Sequence, residues 1–95
     1  MSGLKPLWLK LQKHLDQSFK IENFNEGRDR DLNKTKITAC NMLWVAASRG
    51  GKAGALTQAQ SMVDDFSAMA EPDKHSRMYL DMAQEAITYL DAQPE

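Results

Sequence analysis

The sequence predicts an all-α protein, folded as a small compact bundle of four helices, or of three helices with a peripheral N-terminal helix. Apolar residues recur at spacings of three and four in four separate segments, as on one face of an α-helix. Turn-forming residues, among them Gly50, Gly51 and Pro72, separate these segments. With 95 residues, of which 42% are hydrophobic and 26% are charged, the chain has the size and composition of a single globular domain, residues 1–95.

The first helix is predicted over about residues 5–20. Pro6 fits its first turn, where the missing N–H group costs nothing. Lys10, Lys13 and Lys20 fall on the face opposite the apolar stripe, and such a face is either solvated or a site for a polyanion such as nucleic acid. The stripe itself comprises Leu4, Leu7, Trp8, Leu11, Leu15 and Phe19.

The second helix is predicted over about residues 32–48, after a flexible connection at residues 21–31. The connection lacks periodicity, carries mixed charge and contains Gly27. Apolar residues cover about half of the second helix, which indicates burial on most sides at the centre of the fold. Cys40 lies within this apolar arc and has no histidine near it in sequence, so we interpret it as a small core residue and not as a nucleophile.

The glycine-rich stretch SRGGKAGALT, residues 48–57, is predicted to turn the chain between two helices. Gly50 or Gly51 is well placed to end the second helix in the left-handed conformation that glycine tolerates. Thr57 and Gln60 match a capping box, which predicts a third helix over about residues 58–70 and leaves residues 53–56 as a connector.

The same stretch has an alternative interpretation as a non-catalytic anion contact. Glycine N–H groups and a neighbouring cation together bind anions, and the residues that offer them are Arg49, Gly51, Lys52 and Gly54. A nucleotide-binding P-loop is not indicated, because Lys52 is followed by Ala53 and a helix, not a strand, is predicted before it.

The fourth helix is predicted over about residues 74–92, since Pro72 ends the third helix and Asp73 can cap the next. Its apolar arc spans about 200°, whereas one packing contact needs a stripe of roughly 100°. We therefore expect the excess to be covered by another helix of the chain or by a partner. The predicted partner surface, through which a homodimer is one hypothesis, comprises Met78, Met82, Glu85 and Tyr89.

Charge is distributed unevenly, with a formal charge of +5 on residues 1–52 and −6 on residues 53–95. This asymmetry indicates either packing of oppositely charged helices or a surface that steers a charged partner. No pairing of a nucleophile with a base indicates catalysis, and neither His14 nor His75 has a second His, Cys or carboxylate at ligand spacing on the same helix face. We therefore expect no catalytic residue, no metal and no cofactor.

The function predicted from these observations is that of a small protein-binding domain, adaptor or inhibitor-like, without catalytic activity. Binding of nucleic acid or another polyanion through the basic N-terminal half is a less favoured alternative, and mimicry of nucleic acid by the acidic C-terminal half is a third. The single cysteine, the missing signal-peptide pattern and the absence of a long apolar run predict a cytoplasmic location without membrane contact.

Overall fold

The computed structural model of the chain describes residues 5–23 and 25–94. These residues form three helices and no strand: α1 (Leu7–Phe19), α2 (Arg30–Ser67) and α3 (Lys74–Asp91). The predicted all-α fold is therefore confirmed. Leu4, at the start of the predicted apolar stripe of α1, lies outside the described residues.

Helix α2 is folded back on itself. A straight helix of its 38 residues would be about 57 Å long at 1.5 Å per residue, yet the longest dimension of the molecule is 47 Å. Gly51 interrupts the helix with non-helical angles, φ 67° and ψ −154°. Residues 30–50 and 52–67 thus form two arms, which correspond to the predicted second and third helices. Met42 and Met62, about 30 Å apart in a straight helix, line one groove between the arms.

The prediction of a non-helical connector at residues 53–56 is wrong, because the helix resumes directly after Gly51. A positive φ with ψ near −154° belongs to a region that is almost reserved for glycine, so one residue is enough to turn the chain. Thr57 lies inside the second arm and does not cap a helix. Gly54 lets the arms approach, since a Cβ atom there would lie 2.9 Å from the carbonyl oxygen of Ala46.

The core lies where α1, α3 and the two arms meet. Alanines dominate the contact surfaces of α2 and α3, which brings the helix backbones close together. Trp8 of α1 packs on Trp44 of the first arm, with ring centroids 5.3 Å apart. Cys40 is buried among these residues, as predicted, and burial raises the pKa of its thiol to about 11. The largest fully buried side chains are Leu11, Leu15, Leu43, Met82 and Leu90.

Aspartates cap α2 and α3 at their N-termini. The carboxylate of Asp29 accepts a hydrogen bond from the Leu32 amide at 3.0 Å, and that of Asp73 accepts one from the Ser76 amide at 2.8 Å. Lys74 Nζ lies 2.6 Å from Asp29, and this bond, with the Leu32 amide, lowers the pKa of the Asp29 carboxyl. Because Lys74 begins α3 and Asp29 precedes α2, the two helices start side by side.

The connection between α1 and α2 is held to the fold by Asn33, a residue that is 3% exposed. Its Oδ1 accepts a hydrogen bond from the Glu22 amide at 2.9 Å. Its Nδ2 donates to the carbonyl oxygens of Glu22 and Asn23, both at 3.1 Å. The buried side-chain amide therefore supplies hydrogen bonds to backbone groups that lie outside any helix. The predicted flexibility of the connection stays a prediction for the segment after residue 23.

Replacing Asn33 by alanine should destabilise the fold by about 2 kcal/mol, because three hydrogen bonds are lost and partly buried backbone groups are left unpaired. Urea denaturation monitored by circular dichroism measures this loss. Asn41→Ala is the matched control, since Asn41 is exposed and accepts one hydrogen bond, from Trp44 Nε1. Equal loss of stability in both variants would contradict the clamping role of Asn33.

Candidate functional site

The predicted partner surface on α3 is largely used inside the chain. Met82 is 0% exposed, so the prediction that it lies on a surface is wrong. Met78 and Tyr89 are half-buried against the core. The wide apolar arc of α3 is covered by the rest of the bundle, which is the first of the two alternatives that the sequence left open.

Glu85, the polar member of that surface, is hydrogen-bonded to His14 of α1. Its Oε2 lies 2.7 Å from His14 Nε2. The His14 ring also stacks on Tyr89, with centroids 4.2 Å apart and an interplanar angle of 20°. Since His14 and Glu85 are 71 positions apart, no local pattern in the sequence could have paired them. The cluster holds α1 against α3.

The predicted anion contact has mostly structural roles. Gly51 is the pivot of α2, and Gly54 lies against the backbone of the first arm. Lys52 Nζ donates a hydrogen bond to the Gln93 carbonyl oxygen at 2.8 Å, beyond the end of α3. Arg49 is exposed. The Lys52 ammonium group thus lies at the negative, C-terminal end of the α3 dipole and is engaged in this contact.

The three lysines of the predicted polyanion face lie in two places. Lys10 and Lys13 border a shallow depression between α1 and Tyr89. Lys20, about 10 Å along the helix axis from Lys13 and about 15 Å from Lys10, lines a different depression with Lys36. Lys36 Nζ is itself bonded to the Phe19 carbonyl oxygen at 2.8 Å. Among the described residues, the three lysines therefore line two separate depressions, and a polyanion contact of this face stays a prediction.

An apolar groove opens between the two arms of α2 and the start of α3. Its volume is about 240 Å³. Met62, 5% exposed, forms part of the buried floor. Among the described residues, Met42 and Met69 are the large hydrophobic side chains left exposed, at 38% and 45%. We call this site the methionine groove; its lining comprises Met42, Met62, Asp65, Phe66, Met69, Ser76 and Tyr79.

Charged side chains near the groove fall into two groups. Lys74 pairs with Asp29, whereas the Arg77 guanidinium lies 5.5 Å from the centroid of the Phe66 ring and keeps its positive charge. The carboxylates of Asp65, on the groove wall, and Glu71, two residues after Met69, make no ion pair or hydrogen bond within residues 5–23 and 25–94. Residues 62–79, which supply most of the groove lining, carry four carboxylates and two cations, so their formal charge is −2.

The groove could not be recognised in the sequence, because its walls come from segments that only the reversal at Gly51 brings together. Met42 and Met62 are 20 positions apart on opposite arms. The position of Met42 in the sequence was one usable signal for the groove, because this apolar residue falls outside the main apolar arc of the first arm. No local sequence pattern indicated which residues lie across the groove from Met42.

The lining of the groove is mostly apolar. Its apolar walls offer dispersion contacts to apolar side chains, and methionine adapts to their shape. In the described part of the chain, no three His, Cys, Asp or Glu side chains are grouped to hold a metal ion. None of the helices described here has both the length and the apolar character that a membrane crossing needs.

Comparisons with protein-family models, with curated proteins and with solved structures found no match to this chain.

Proposed function

We propose that the chain is a protein-binding domain that accepts apolar side chains of its partner in the methionine groove. The observation that carries the proposal is the exposure of Met42 and Met69 on either side of a preformed apolar depression. The two methionines share one concave apolar site, the kind of surface on which binding partners are commonly accommodated. Removing such surface from water contributes about 25 cal/mol per Å², so a partner that covers both methionines gains affinity.

The size of the groove favours a protein partner over a small molecule. Its volume of about 240 Å³ is below the range of roughly 300–1,000 Å³ that is usual for small-molecule sites. A depression of this size holds one or two anchoring side chains, as in the centre of a protein interface. Because methionine side chains rearrange easily, the groove is suited to an adaptor or an inhibitor-like domain that recognises apolar residues. A cytoplasmic location is part of the proposal, since it suits the unpaired thiol of Cys40.

Selection of helical peptides from a display library tests the proposal without knowledge of the natural partner. Peptides selected on the unmodified chain should bind Met42→Glu and Met69→Glu at least about tenfold more weakly, because a carboxylate enters a contact that excludes water. Both positions are partly exposed, so both variants should keep the circular dichroism of the unmodified chain.

Gln84→Glu is the matched control, because it adds the same charge at an exposed position of α3 outside the groove. Binding should change less than about twofold in this variant, as expected for an isolated surface charge. Peptides that bind all four proteins equally would show that the groove is not the binding site.

A further inference from the structure

The kind of partner can be deduced from the groove and its rim. We propose, on the basis of the function proposed above, that the occupant of the methionine groove is a basic amphipathic helix of another protein. Its apolar face lies on Met42, Phe66 and Met69, and its flanking lysine or arginine residues face Asp65 and Glu71.

The helical form follows from backbone hydrogen bonding. An extended peptide gains much of its affinity by adding a strand to a sheet edge. The described residues form no strand, so an extended segment would meet helix surfaces that have no free row of N–H and C=O groups. A helix satisfies its own backbone groups and presents apolar side chains at a spacing of three and four to a groove between helices.

The basic flanks follow from charge complementarity. Residues 62–79, which supply most of the groove lining, carry a formal charge of −2 with Arg77 included, and the carboxylates of Asp65 and Glu71 have no partner among the described residues. Residues 53–95, which form the second arm and α3, carry a formal charge of −6. A cationic helix is attracted to this surface during encounter and an acidic helix is repelled.

A second copy of the chain is not well suited to supply this helix. The basic segments lie in residues 1–52, on α1 and the first arm. The apolar stripes of these helices are committed to their own core, since Leu11, Leu15 and Leu43 are all 0% exposed. Docking either helix in a second copy's groove would require it to leave the first copy's core. The occupant is therefore assigned to a different protein.

The composition of the selected peptides tests this inference separately from the proposed function. In a library with randomised flanks on a helical scaffold, lysine and arginine should be enriched next to the apolar face. The best peptide should bind Asp65→Lys about three- to tenfold more weakly, because a rim attraction becomes a repulsion. This difference should shrink as salt rises towards 1 M, where the screening length is about 3 Å.

Asp81→Lys is the control for Asp65→Lys, since it makes the same charge change at an exposed position of α3 outside the groove. Peptides that require Met42 and Met69 but lack basic flanks, or that tolerate Asp65→Lys as well as Asp81→Lys, would overturn the inference and leave the proposed function standing. A selection that yields no groove-dependent peptide would overturn both. A dimer in light scattering that Met69→Glu abolishes would assign the groove to a second copy and also overturn the inference.

Discussion

The Met82→Glu variant should fail to fold at neutral pH. Met82 is 0% exposed in the core cluster that also contains Leu43 and Leu90. A carboxylate at this position loses its hydration, and the cost of burying an unpaired charge is several kcal/mol or more. Domains of this size have a total stability of about 5–15 kcal/mol. Thermal unfolding followed by circular dichroism should therefore show no cooperative transition, or one at a strongly lowered temperature.

The same substitution at Met69 is the control, because it makes the same chemical change at an exposed position. Met69 is 45% exposed, so Met69→Glu should fold with a stability within about 0.5 kcal/mol of the unmodified chain, as is usual for surface changes. If Met82→Glu instead gave a folded monomer and broke a dimer of the unmodified chain, Met82 would belong to an interface, as the apolar arc of α3 predicts.

The sequence predicted features that depend on neighbouring residues. Helix α3 begins at its predicted residue because Pro72 and the Asp73 cap act locally. The width of its apolar arc correctly indicated that more than one element covers it. Which element covers it depends on contacts such as that of His14 with Glu85, which join residues far apart in the chain. For that reason the burial of Met82 could not be foreseen.

The turn at residues 48–57 was predicted in position but not in length. A positive φ was expected at Gly50 or Gly51, and Gly51 has it. The capping-box pattern of Thr57 and Gln60 then suggested a later helix start. Tertiary packing overrides that pattern, because the approach of Gly54 to the backbone of Ala46 requires the second arm to begin at once. The methionine groove depends on this reversal and was missed with it.

Gly51→Ala should destabilise the fold by about 1–3 kcal/mol. Gly51 has φ 67° and ψ −154°, a conformation in which a Cβ atom is strained whatever the surrounding space. Apart from the adjacent backbone of the chain, no atom lies within 4 Å of the position that this Cβ would occupy. The loss is therefore a matter of backbone strain and not of steric clash with the core, and urea denaturation will measure it directly.

Gly50→Ala is the matched control one residue earlier. Gly50 is helical, has no positive φ, and a Cβ there also meets nothing within 4 Å. Alanine should thus stabilise the chain by about 0.4–1 kcal/mol, because it reduces the freedom of the unfolded chain without strain in the fold. The two variants should shift stability in opposite directions. Equal shifts, or a loss at Gly50 alone, would place the pivot elsewhere and remove the reversal that brings Met42 beside Met62.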